Sequence, residues 1–254
     1  MNTKHSIFLS LFIFAACSSP EKKEQTVVKS QEQEIVDNAI TFHGMEDLDN
    51  SSFSLTFRKM DYTYINQNGM YEYTRTQTDS SGSVIFDRMD NDGLIRKIDG
   101  DTAELTDERR AAFTRSVNSV IYFFRLPFGL NDPSVNKTFV GETEIKGKTY
   151  YEVKVTFTQA GGGEDFDDVF LYWFDKEDYS MDYLAYLYHT DGGGLRFREA
   201  INQRKVNGIL IQDYVNLKPE DESIDIMTIA ELYEAGALKV LSEIINENVV
   251  FKKR

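Results

Sequence analysis

The chain has 254 residues, a formal net charge of −14 and 41% hydrophobic residues. An acidic surface repels phosphate backbones, so the charge excludes nucleic acid as a general partner. The single cysteine excludes an internal disulfide, and the fold must therefore be stabilised by packing.

The N-terminus has the pattern of a bacterial lipoprotein signal. Lys4 supplies a positive charge, residues 7–14 form a short apolar run, and two alanines precede Cys17. The apolar run is shorter than the ~20 residues that span a bilayer. We therefore predict a signal peptide over residues 1–16 and lipid attachment at Cys17. The alternative is an ordinary secretory signal with an incidental cysteine.

The segment that follows has the composition of a flexible tether. Residues 17–32 contain few large apolar side chains and many polar or charged ones. Ser18 occupies the position where Asp is the usual signal for retention in the inner membrane, so we expect an outer-membrane lipoprotein of the cell envelope that faces the periplasm. The membrane is then one predicted partner, and residues 33–254 form a single domain.

The domain opens with a predicted helix and continues with strands. Ile35, Ala39 and Phe42 recur near helical spacing, and Gly44 suits a helix C-cap. Apolar residues then alternate with polar ones, and two turn-forming segments divide the run, which is typical of an antiparallel meander. The predicted strands cover residues 53–57, 62–64, 70–76, 84–89 and 94–98.

A second predicted helix, residues 107–124, interrupts the strands. Thr106 or Asp107 can cap its N-terminus, and the apolar stripe along one face is bulky. Such a stripe has to cover apolar surface. It consists of Phe113, Val117, Val120, Ile121 and Phe124.

The remainder of the chain reads as strands and a charged connector. We predict a connector at residues 219–225, a helix at 227–235 and a final strand at 238–251. The predicted fold class is α+β, mainly β, with an antiparallel sheet large enough to curl and a C-terminal extension. The six strands before the connector cover residues 138–145, 150–158, 169–174, 181–189, 195–206 and 209–217.

The sequence offers little for catalysis. His43 and His189 are the only histidines beyond the signal, which excludes a three-histidine zinc site, and the only thiol is the predicted lipid attachment point. A serine hydrolase remains an alternative, but the chain has no Gly-x-Ser-x-Gly motif. We predict that the protein is not an enzyme and has no catalytic residue.

Two apparent ligand motifs fail on inspection. Residues 87–93 resemble a calcium loop, but Arg88 stands at the first ligand position and Asp99 replaces the bidentate Glu at the twelfth. The glycine runs 161–163 and 192–194 lack the strand-to-helix context of a phosphate loop. We therefore predict no metal and no cofactor.

The aromatic content suggests a different role. A curved sheet with a Phe-rich helix against its concave face encloses apolar volume, and such volumes bind apolar ligands. The leading hypothesis is non-catalytic binding of a lipid or another apolar small molecule. The alternative is a filled barrel whose acidic outer face docks an envelope protein partner. Bulk and strand parity place these residues near the cavity: Phe57, Tyr73, Phe113, Val117, Ile121, Phe124, Trp173 and Tyr186.

Residues 169–217 resemble the second half of the LolA/LolB superfamily of lipoprotein carriers. The stretch FLYWFDKEDYSMDYLAYLYH turns at residues 175–179, and LRFREAINQRKVNGILIQDYVNLK turns at Asn207-Gly208. The opening AITFHG, residues 39–44, is similar to other exported lipoproteins of this layout. The resemblance implies an unclosed antiparallel barrel with a helical lid over an apolar cavity.

Overall fold

The structure is a computed structural model that describes residues 29–67, 69–160 and 166–253. Cys17, the predicted signal peptide and most of the predicted tether lie outside the described residues. The described chain is mainly β, with fourteen antiparallel strands in two unclosed seven-stranded sheets and three helices, which confirms the predicted fold class. The helices are α1 (Gln31–His43), α2 (Asp107–Phe124) and α3 (Ile229–Glu234).

The first sheet is the predicted meander with two strands added, a two-residue strand at one edge and a strand from the C-terminus at the other. Its order is β14-β1-β2-β3-β4-β5-β6, and every pair is antiparallel. The predicted hairpins are present, since Gln67 pairs with Met70 and Asp90 with Gly93. The strands are β1 (Ser51–Phe57), β2 (Met60–Gln67), β3 (Met70–Thr78), β4 (Val84–Asp90), β5 (Gly93–Ile98) and β6 (Asp101–Thr102), with β14 (Glu247–Lys253) beside β1.

The second sheet contains the six strands predicted after α2 and one further strand. Its order is β13-β12-β11-β10-β9-β8-β7. All six predicted runs agree with the structure to within three residues at each end. The strands are β7 (Val135–Ile145), β8 (Lys148–Phe157), β9 (Val169–Asp175), β10 (Met181–Tyr188), β11 (Gly194–Val206), β12 (Ile209–Lys218) and β13 (Lys239–Ile244).

The C-terminal segment joins the two sheets. The prediction of one final strand at residues 238–251 is wrong, because the segment forms two strands that pair with different sheets. β13 extends the second sheet beside β12, and β14 pairs with β1, where Phe53 faces Phe251. Asn207 Nδ2, in the β11–β12 turn, donates a 2.8 Å hydrogen bond to the carbonyl oxygen of Phe251. The tail therefore completes the fold.

The interior is divided into two hydrophobic clusters. The main cluster lies between the sheets and includes α1 and α2. The second cluster lies on the other face of the second sheet, where the 3-10 turn at Ile226–Thr228 and α3 cover it. Because side chains on a strand alternate between faces, β9 contributes to both clusters: Phe170 and Tyr172 to the main one, Leu171 and Trp173 to the other.

Helix α1 begins at Gln31, one turn before the first residue of the predicted apolar pattern, Ile35, and ends at the predicted cap. Gly44 has φ +69°, a left-handed conformation that favours glycine, and its amide closes the helix. A Cβ at this position would lie 2.6 Å from the carbonyl oxygen of Gly208. Gly44 therefore permits close contact between the end of α1 and the β11–β12 turn.

Candidate functional site

A cavity of about 1100 Å³ lies between α2 and both sheets. It is partly open to solvent, and residues of β1, β3 to β5, α2 and β8 to β13 line it. The lining is predominantly apolar, as is typical of pockets that take small molecules. Its aromatic residues are Phe57, Tyr71, Tyr73, Tyr122, Phe123, Phe124, Phe157, Phe170, Tyr186, Tyr188 and Tyr214.

Helix α2 forms one wall of the cavity, and its sequence explains its position. The Thr106 hydroxyl accepts a hydrogen bond from the Arg109 amide at 3.3 Å, as predicted for an N-cap. Val117 and Ile121 are fully buried in the main cluster and fix the helix there. Tyr122 and Tyr172 are hydrogen-bonded through their hydroxyls at 2.8 Å, which connects α2 to β9.

The structure brings four of the eight predicted binding residues into the cavity wall. These are Phe57, Tyr73, Phe124 and Tyr186. Val117 and Ile121 lie beneath the wall, in the core that holds α2 in place. They support the cavity from behind.

Phe113 and Trp173 do not line the cavity. The guanidinium carbon of Arg96 lies 3.3 Å from the centroid of the Phe113 ring, so Phe113 packs against the first sheet. Trp173 belongs to the second cluster, on the far face of β9, because it has the opposite parity from Phe170. The position predicted for Trp173 is therefore corrected, and Phe170 is the β9 residue that reaches the cavity.

The cavity wall near Phe170 is built from rings in contact. Phe123 lies 5.0 Å from Tyr186 and Phe170 lies 5.5 Å from Tyr186, both measured between centroids. Phe157 meets Phe170 edge-on at 5.6 Å. These separations fall in the range where aromatic pairs attract each other beyond their area of contact. The wall is thus a rigid apolar surface contributed by α2 and three strands of the second sheet.

A row of three buried charges attaches α2 to the first sheet. Arg75, Asp87 and Arg96 are cross-strand neighbours on β3, β4 and β5, and both arginines donate to the Asp87 carboxylate at 2.6–2.9 Å. Arg75 Nη1 also donates to the Ser116 hydroxyl on α2 at 2.7 Å. Burial acts to raise the pKa of Asp87, but the hydrogen bonds from the arginines outweigh it and hold the pKa below its usual value. Asp87 is therefore a structural counter-ion.

Tyr73 and Tyr214 are neutral hydrogen-bonding groups of the cavity wall. Burial raises the pKa of Tyr73 to about 12 and that of Tyr214 to about 12. Arg125 Nη2 donates to Asp132 at 2.5 Å, and Arg125 Nη1 donates to the Tyr73 hydroxyl at 3.4 Å. These hydrogen bonds hold a few polar groups at fixed positions in the apolar wall.

Two polar residues of the second sheet were missed by the sequence reasoning. Arg198 on β11 and Asn216 on β12 are direct cross-strand partners, and both line the cavity. Arg198 Nη2 donates to the Tyr186 hydroxyl at 3.0 Å. The sequence contains one signal for Arg198: this arginine directly follows Phe197, in a strand whose two faces are both buried.

The groups considered for chemistry have structural partners. His43 Nε2 accepts a hydrogen bond from the Met181 amide at 3.3 Å, and Asp168 accepts one from the His189 amide at 3.2 Å. In the apparent calcium loop, Asp87 is held by arginines. In the part of the chain that the structure describes, no group of three or more His, Cys, Asp or Glu residues could hold a metal ion.

The fold and the cavity define a two-sheet antiparallel β protein with an internal apolar cleft. The chain belongs to the family of unknown function DUF6503, whose family model matches residues 4–246. No curated protein sequence matches the chain significantly. Of the helices within residues 29–67, 69–160 and 166–253, none is long and apolar enough to cross a membrane.

Similar solved structures include members of the predicted superfamily. A LolA superfamily protein from Nitrosomonas europaea has a TM-score of 0.47 and 11% identity, over 88% of this chain and 92% of that one. A DUF1329 family protein from Desulfovibrio piger has a TM-score of 0.47 and 12% identity, over 88% of this chain and 94% of that one. The similarity concerns the course of the chain alone.

Proposed function

We propose that the protein is a membrane-anchored lipoprotein that binds a lipid or another apolar molecule in the cavity beside α2, without covalent chemistry. The observation that carries this proposal is the cavity of about 1100 Å³ with its aromatic wall. Small-molecule pockets usually measure about 300–1,000 Å³. The volume is therefore sufficient for an acyl chain.

The energetics of an acyl chain fit an apolar site of this kind. Each methylene that leaves water contributes ~0.8 kcal/mol, so a chain of about fifteen methylenes gains roughly 12 kcal/mol before the cost of association. A ring-lined wall supplies contact area without many flexible side chains that must be ordered. The open volume favours this proposal over the alternative of a filled barrel that serves only as a scaffold.

A bulky residue on the cavity side of α2 should block binding. Ala112 lines the cavity and is half-buried, so Ala112→Trp is expected to fill part of the space and lower uptake of the neutral dye N-phenyl-1-naphthylamine at least several-fold. Fluorescence titration of the purified domain measures this.

The matched control for this experiment is Ala237→Trp, at an exposed position outside the cavity. It should leave dye uptake unchanged, and both variants should unfold at the same urea concentration as the wild type. Equal uptake by all three proteins, or no uptake by the wild type, contradicts the proposal. Native mass spectrometry of protein isolated from cells should in addition reveal a co-purifying lipid.

The anchor is tested separately. Cys17→Ser removes the only thiol of the chain, so the protein is expected to leave the membrane fraction and to appear in the soluble envelope fraction with its fold intact. Cell fractionation followed by immunoblotting measures the distribution. Retention of the variant in the membrane fraction refutes lipid attachment at Cys17.

A further inference from the structure

Arg198 is a buried charge in the cavity wall. The residue is 8% exposed, and its Nε is buried without a hydrogen-bond partner. Among the residues that the structure describes, none forms an ion pair with it. A charge removed from water in this way is expensive unless it meets an opposite charge. Within the described part of the chain, Arg198 therefore lacks a counter-ion.

Other arginines in buried or half-buried settings of this protein have such a counter-ion. Arg196, two residues before Arg198 on β11, donates to Glu222 at 2.5 Å, and the guanidinium of Arg125 is held by Asp132. Each of these two arginines is thus paired with a carboxylate. Further pairs are Arg75 and Arg96 with Asp87, and Arg204 with Asp213.

The neighbours of Arg198 cover the flat face of its guanidinium group and leave available the edge that carries the N–H donors. Its guanidinium carbon lies 3.7 Å from the centroid of the Phe123 ring, so α2 stacks on the flat side of the group. The N–H donors lie in the guanidinium plane and point away from that contact. Only Nη2 has a protein acceptor among the described residues, the Tyr186 hydroxyl. The stacked ring thus fixes the orientation of a donor edge inside the cavity.

A second unsatisfied polar atom lies on the neighbouring strand. Asn216 pairs directly with Arg198 across β11 and β12, and its Oδ1 is buried without a hydrogen-bond partner. Buried polar atoms are nearly always hydrogen-bonded. The two atoms differ in what they need: Arg198 offers donors that suit an anion, whereas Asn216 Oδ1 accepts and suits a protonated oxygen of a ligand. Together they mark a polar subsite beside an apolar wall, and its preference for an anion comes from Arg198.

We propose that this subsite binds the oxyanion head group of a single-chain amphiphile, with Arg198 as its counter-ion and the acyl chain along the aromatic wall. The inference rests on the proposed lipid-binding function and names the ligand class. A carboxylate or a phosphate monoester presents two oxygens to the planar donor edge of an arginine. The ring of Phe123 holds the guanidinium ready for that contact.

The test compares ligands that differ in their head group. Palmitate, hexadecyl phosphate and hexadecanol share a sixteen-carbon chain, and each displaces N-phenyl-1-naphthylamine from a shared apolar site. Arg198→Met keeps the length and apolar stem of the side chain and removes its charge. We expect the affinity of the variant for both anions, or for the one anion that the site selects, to fall about tenfold or more. Its affinity for hexadecanol should be unchanged. The size of each loss distinguishes carboxylate from phosphate.

The control variant is Arg196→Met, which removes an arginine that already has a carboxylate partner. It should leave all three affinities within about twofold of the wild type. The Arg198→Met protein should unfold at the same or a higher urea concentration, because the substitution removes an unpaired buried charge. That result separates a lost ligand contact from a damaged fold.

The possible results separate the head-group site from the lipid-binding function on which it rests. Equal affinities of wild type and Arg198→Met for the anions, or an equal loss for hexadecanol, overturn the head-group site while lipid binding stands. Failure of the wild type to bind any of the three ligands overturns both proposals. A loss confined to the anions supports the inference.

Discussion

Asp87→Ala is expected to destabilise the protein by about 3–5 kcal/mol, which is a large part of the stability of an ordinary domain. The Asp87 side chain is fully buried, and its two partners, Arg75 and Arg96, are more than nine-tenths buried. Removal of the carboxylate leaves two guanidinium groups in the interior without an opposite charge. The cost comes mainly from these uncompensated charges and less from the attraction that is lost.

The effect should extend to α2, because both arginines also contact that helix. Arg75 donates to Ser116, and Arg96 stacks on Phe113. Urea unfolding followed by the fluorescence of Trp173, the only tryptophan of the chain, measures the loss of stability. Amide exchange within α2 should accelerate more than exchange within α3, which lies on the far side of the second sheet.

An exposed ion pair provides the control. Glu142 and Lys176 lie 2.6 Å apart, with side chains that are 45% and 41% exposed. Glu142→Ala should change the free energy of unfolding by no more than about 1 kcal/mol, since solvent screens such pairs. If Asp87→Ala costs no more than Glu142→Ala, the buried row does not hold α2 against the sheet.

The sequence predicted the local elements well because each has a local cause. Helix α2 occupies residues 107–124 as predicted, since its cap and its apolar stripe lie within one segment. The strands from β7 to β12 follow from alternation and turn residues. The C-terminal strands were merged because their separation depends on distant partners: β14 pairs with β1 almost two hundred residues earlier.

The presence of a cavity was predicted, but only some of the residues that line it were. The size of a side chain does not tell which face of a strand it occupies when both faces are buried. For that reason the sequence predicts Trp173, and not Phe170, as a cavity residue. The charged row depends on register, since Arg75, Asp87 and Arg96 become neighbours only when three strands pair. A usable signal existed: each of these residues stands two positions from an inward apolar residue of its own strand.

Acid should weaken the fold through His43. The side chain is 1% exposed, and burial lowers its pKa from 6.5 to about 4. Between pH 6.5 and 4 the unfolded chain binds a proton that the native protein excludes, so stability falls as the pH falls. A pKa difference of this size lowers the free energy of unfolding by roughly 3 kcal/mol between pH 7 and pH 4.

The contribution of His43 can be separated from that of the carboxylates. We expect His43→Gln to lose about 3 kcal/mol less than the wild type between pH 7 and pH 4. Urea unfolding at half-unit pH steps gives the two curves. Parallel curves for the wild type and His43→Gln refute the assignment.

The consequence for the structure is local to the junction of α1 and the second sheet. A protonated imidazole cannot accept the hydrogen bond that the Met181 amide donates to Nε2, so protonation of His43 breaks its contact with β10. Gly44, the next residue, contacts the β11–β12 turn, where Asn207 binds β14. Acid is therefore expected to release α1 first and then to loosen the corner at which the two sheets meet, which amide exchange at pH 4.5 should detect as early deprotection of α1.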